Sequence, residues 1–143
     1  VTLAESIAHV ERVRASAARG AREELETLDA VIPMRIASIA LRVCPELPTT
    51  IEERITDNRA QTFADSVMYR QALAAAAAER GWAVHWYDRD EVFREAAEAL
   101  GREQREDIDA FLKAMGRSIG APWQAKHKLA AAAALAANKQ IQT

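Results

Sequence analysis

A single cysteine, Cys44, is the only thiol in this 143-residue chain, so neither an internal disulfide nor a cysteine metal cluster can form. That scarcity fits a reducing cytosol. Net charge is scarce as well: 19 Lys and Arg against 21 Asp and Glu leave −2. Nothing global therefore draws the chain to nucleic acid or to an acidic membrane surface, and only local basic patches stay open. No apolar run approaches the roughly 20 residues that span a bilayer. The N-terminus lacks a basic start followed by an apolar block, so no signal peptide is expected. Five glycines form neither the Walker nor the dinucleotide fingerprint. No Ser-His-Asp or Cys-His set stands out, and no repeat. These absences predict a cytoplasmic protein with no membrane segment.

What is present is half apolar and 28% charged, which excludes general disorder. Thr2-Leu3-Ala4-Glu5 is a capping-box pattern, and Leu3, Ile7, Val10 and Val13 recur at helical spacing. Gly20 marks an expected break or kink, Arg22 to Asp29 a second helical piece, and Pro33 the stop. Arg35 to Val43 reads as a strand, where the alternation of Ile39, Leu41 and Val43 against Arg42 predicts one buried and one exposed face, or an edge position. Thr50-Ile51-Glu52-Glu53 repeats the capping pattern, so Ile51 to Asp57 reads as a short helix. A strand hairpinned to the first is the rival.

Arg59 to Arg80 is the most strongly marked helix, with Gly81 just past its end. Trp82 to Tyr87 follows as a strand, Trp82, Val84 and Trp86 on one face and Ala83, His85 and Tyr87 on the other. Two largely apolar faces predict an interior strand of a parallel sheet. Asp88 is the expected cap of the next helix, with Glu91 completing a box and Gly101 closing it. Asp107 to Gly116 makes another helix, Ser118 to Ala121 a connector, and Pro122 to Asn138 a last helix with proline in its first turn. The expected class is α/β: a helix-rich single domain with a small, mainly parallel sheet of few strands and a long N-terminal helix. Residues 1–32 form an N-terminal helical segment and 33–143 the α/β domain, one globular unit overall.

Ligands of open α/β sheets sit beyond the carboxyl ends of strands, which puts Tyr87, Asp88, Asp90 and Glu91 at the rim. Asp88 and Asp90 are the candidate ligands for Mg²⁺ or Mn²⁺, ions that prefer oxygen; a capping box explains the same spacing with no ligand. Trp123, Lys126, His127 and Lys128 open the last helix with a cationic turn suited to a phosphate or nucleic acid, against the small cost of placing cations at a helix N-terminus. Arg54, Asp57, Arg59, Asp65, Tyr69 and Arg70 cluster near the start of the long helix, where local pairing is the simple explanation. His85 reads as a structural, hydrogen-bonded histidine and His9 as a surface residue.

Three segments carry a resemblance: Ala64-Asp65-Ser66-Val67-Met68-Tyr69-Arg70, then Arg80 to Asp88, then Gly120-Ala121-Pro122-Trp123 before a basic turn and an Ala-rich helix. Together they resemble a group of uncharacterised actinobacterial proteins over about Arg35 to Ala137. More distantly, the order of elements resembles the ribonuclease H-like fold of Holliday-junction resolvases. That resemblance implies carboxylates on strand ends and on the last helix holding two metal ions, with Asp88 at the matching position. The strand Arg35 to Val43 has no acid, and Lys126-His127-Lys128 stand where the last helix would carry its pair.

The function expected first is a small intracellular binding or interaction domain without a complete catalytic set or cofactor, working as a homodimer or with a protein partner. The alternative is a metal-dependent phosphodiester hydrolase using Mg²⁺ or Mn²⁺.

Overall fold

The computed structural model describes residues 1–101 and 105–142. Their order is α1 (Leu3–Val31), β1 (Ser38–Arg42), α2 (Ile51–Thr56), α3 (Asn58–Glu79), β2 (Ala83–Tyr87), α4 (Val92–Ala99), α5 (Arg105–Ile119) and α6 (Ala125–Gln142). The class is α/β, helix-rich, with a small two-stranded parallel sheet and a long N-terminal helix. Two compact units result: Val1–Ala37 with Cys44–Ala83, and Ser38–Val43 with Val84–Thr143.

The first unit is built from α1, α2 and α3. The capping box forms as its sequence specifies: Thr2 Oγ1 accepts from the Glu5 N–H at 3.1 Å, and the Thr2 N–H donates to Glu5 Oε2 at 2.7 Å. Helix α1 then runs unbroken for 29 residues, so the break expected at Gly20 does not occur. A helical glycine costs only about 1 kcal/mol relative to alanine, small against packing along α3 through the buried Ala21 and Leu25. The segment after Pro48 is a helix, not a hairpin strand, because Thr50 Oγ1 accepts from the Glu53 N–H at 3.1 Å. Asp57 caps α3 twice, accepting from the Arg59 and Ala60 N–H groups at 2.8 and 3.2 Å. At the other end Gly81 takes φ 78°, and the Trp82 and Gly81 N–H groups donate to Ala77 and Ala78 carbonyls, both at 3.0 Å. That is a Schellman ending, which needs a residue free to enter the left-handed region. Arg22–Glu79 at 2.9 Å and Arg80–Asp29 join α1 to the end of α3.

In the second unit the Val43 N–H donates to the Tyr87 carbonyl at 2.9 Å, a register that sets Ala40 level with His85 and Leu41 level with Trp86. Two expectations change here. Among the described residues the sheet has two strands, so β2 is not interior, and Trp86 remains 41% exposed. The face carrying Ala40 and Tyr87 packs on the helical core, whereas Ile39, Leu41 and Val43 lie on the opposite face by alternation. Small Ala40 lets the Ala-rich α6 approach β1, which a branched side chain there would obstruct. The core joins Val92, Ala96 and Ala97 of α4, Ile108 and Leu112 of α5, and Ala132, Ala133 and Ala136 of α6. Val92, Ile108 and Leu112 have no exposed surface, each burial favouring the fold by about 1.5–3 kcal/mol.

The helix ends of this unit also depart from expectation. Asp88 to Glu91 is a turn, and α4 begins at Val92 with no side-chain cap. The Asp88 carboxylate folds back onto the Asp90 N–H at 2.7 Å, so it serves an Asx turn rather than a helix end. Glu91 pairs instead with Arg94 at 2.8 Å, which reaches Glu98 at 2.7 Å, and both partners raise the Arg94 pKa. Helix α5 continues past Gly116 and absorbs Ser118 and Ile119, stopping where Gly120 takes φ 91°. Helix α6 starts beyond Pro122, because Gln124 provides the turn: its carbonyl accepts from the His127 and Lys128 N–H groups at 3.0 and 3.1 Å.

Candidate functional site

The first unit contains a cleft of about 250 Å³ between α1, α2 and α3. Its apolar walls are Val10 and Val13 of α1, Leu47 of the preceding loop, Ile51 and Ile55 of α2, and Met68 of α3, with the small Ala64 opening its α3 side. His9, Arg14, Arg54, Gln61, Asp65 and Gln71 supply the polar groups. The local sequence explains each contribution. Val10, Val13 and Arg14 sit on successive turns of α1, and Gln61, Ala64, Asp65, Met68 and Gln71 follow the three-and-four spacing of one α3 face. The short helix α2, closed by its threonine cap, turns Ile51, Arg54 and Ile55 inward.

The charged groups are placed unequally. Arg54 is half-buried and its Nε donates to the Pro48 carbonyl at 2.6 Å, which fixes the guanidinium. Gln61 Nε2 is held by the Ile55 carbonyl. Arg14 and Asp65 form no ion pair with one another or with Arg54 within 4 Å. An apolar concavity with a few convergent polar groups is the usual form of a small-molecule site.

The residues grouped by sequence around the start of α3 are separated in space. Asp65 enters the cleft. Tyr69, one turn on, is 56% exposed beside a shallow groove along Ser16, Gly20 and Glu24 of α1. Arg59 lies with Asp57 and Phe63 in another depression beside Pro45 to Pro48. Arg70 is half-buried. Asp57 is explained by its cap. Arg14 and His9 went unmarked because on the α1 wheel they resemble any solvated position. Their place on the cleft lining depends on α2 and α3 packing beside α1.

In the second unit Asp88 and Asp90 are exposed, and among the described residues no three His, Cys, Asp or Glu side chains gather as a metal-ligand set. His127 is engaged within its own turn. Its Nδ1 accepts from the Gln124 N–H at 3.0 Å. The His127 and Lys128 N–H groups, which a phosphate at this helix end would use, are bonded to Gln124. Trp123 stacks on His127 with ring centroids 6.2 Å apart and covers Gly116. Lys126 is exposed and Lys128 half-buried. His85 Nε2 has no hydrogen-bond partner: it faces Glu95 Oε2 at 3.9 Å, both atoms buried, so the hydrogen bond expected there is absent from this nitrogen. His9 is exposed, as its sequence context predicts. No helix among the described residues is long and apolar enough to cross a membrane.

Compared with protein-family profiles, curated proteins and solved structures, the chain gives no significant match.

Proposed function

We propose that this chain works by binding, with no complete catalytic set of its own, and that the cleft between α1, α2 and α3 is where a small ligand sits. The observation that carries the reading is the combination of an apolar concavity with Arg14, Arg54 and Asp65 on its lining, which form no ion pair with one another within 4 Å. Polar groups converging on an apolar concavity give a ligand both a surface to bury and fixed points to orient it.

The test is to follow the methyl signals of Ala64 and Met68 by NMR during titration with a panel of small apolar fragments. At least one fragment shifts both signals in the natural chain, and Ala64→Phe, which fills the cleft, removes the response. A panel that moves neither methyl, or moves Met68 equally in Ala64→Phe, would rule out the cleft as the site.

A further inference from the structure

Taking the cleft as the binding site, we infer that its ligand is a small amphipathic anion: a short alkyl chain or single ring ending in a carboxylate. The size follows from the cavity. About 250 Å³ lies just below the range of roughly 300–1,000 Å³ of pockets for drug-sized ligands, which suits a short alkyl chain or one substituted ring.

The sign of the head group follows from the lining charges. Two guanidinium groups, Arg14 and Arg54, stand against one carboxylate, Asp65. Arg54 is already anchored through Nε to Pro48, so its position is set before a ligand arrives and little side-chain freedom is lost on binding. A guanidinium fork matches a carboxylate in two parallel hydrogen bonds. Arg14 approaches from α1 with no hydrogen-bond partner of its own. Asp65 disfavours a large or doubly charged anion and orients a single carboxylate toward the arginines. The apolar body then lies against Val10, Val13, Ile51, Ile55 and Met68, whose faces are otherwise half exposed to water.

The experiment is isothermal titration of the full chain with octanoate, octan-1-ol and octylammonium at pH 7, repeated on Arg54→Gln and Arg14→Gln. Octanoate binds about tenfold or more tightly than octan-1-ol, the increment of one charge-assisted hydrogen bond, and octylammonium binds most weakly. Arg54→Gln lowers octanoate affinity about tenfold and leaves octan-1-ol unchanged. Arg14→Gln removes a side chain that holds no structural hydrogen bond, so it gives the same contrast should Arg54→Gln disturb the Pro48 loop. Equal binding of octanoate and octan-1-ol, or tighter binding of octylammonium, overturns the anion assignment while leaving the cleft as a site. Failure of all three to bind overturns the cleft reading itself.

Discussion

Gly116 and Gly20 both sit inside helices, and alanine in their place should change stability in opposite directions. A glycine-to-alanine change in a helix interior stabilises by about 0.8–1 kcal/mol through reduced chain entropy and better propensity. At Gly20 that is the whole effect, because a Cβ built there meets nothing within 4 Å. At Gly116 the same Cβ would lie 2.5 Å from Cγ of Trp123 and closer still to Cδ1 and Nε1. The indole must move. Overpacking of this kind costs about 1–3 kcal/mol, and a displaced indole also gives up its stacking on His127 and part of its burial. Set against the helix gain, Gly116→Ala should destabilise by about 1–2 kcal/mol. Urea denaturation followed by helical circular dichroism measures both variants. The decisive control is Gly116→Ala in a Trp123→Ala background, where the clash is gone and the substitution should stabilise like Gly20→Ala. A coupling energy near zero in that cycle, or a stabilised Gly116→Ala single variant, would refute the account of α5 and the turn before α6.

Two more expectations concern the first unit. Asp57 accepts two backbone N–H groups at the start of α3, so Asp57→Ala should cost about 1 kcal/mol in the same denaturation assay, whereas Asp57→Asn should retain most of that stability. The Glu79 carboxyl is held below its ordinary range, first by the hydrogen bond from Arg22. A depressed folded-state value means a contribution present above the unfolded carboxylate range and lost as pH falls through the folded value. Glu79→Gln should therefore lose stability at neutral pH and show a shallower acid limb than the natural chain when melting temperature is followed from pH 7 to pH 3; unchanged limbs would show the pair to be inert in solution.

The chain by itself determined those features governed within a few residues. Thr2 with Glu5, Thr50 with Glu53, and Gly81 after an alanine-rich helix fix α1, α2 and α3 because a cap needs only a side chain and the N–H or carbonyl beside it. Alternation likewise fixed which residues of β1 and β2 share a face. Where local signals competed, the tertiary structure decided. Gly20 could end a helix or cross one, and the packing of Ala21 and Leu25 against α3 carries α1 through it. Asp88 could cap α4 or close a turn, and it closes the turn. Pro122 could open α6, but Trp123 lies on Gly116 and the helix begins after Gln124. Which face of the sheet meets the core was also settled by packing, since Ala40 admits an alanine-rich helix and the branched residues beside it do not. The cleft was the least legible feature. Asp65 and Arg54 stand out as charges in a helical context, but Arg14, Leu47 and Met68 carry no local mark, and a concavity exists only once three helices distant in sequence enclose the same space.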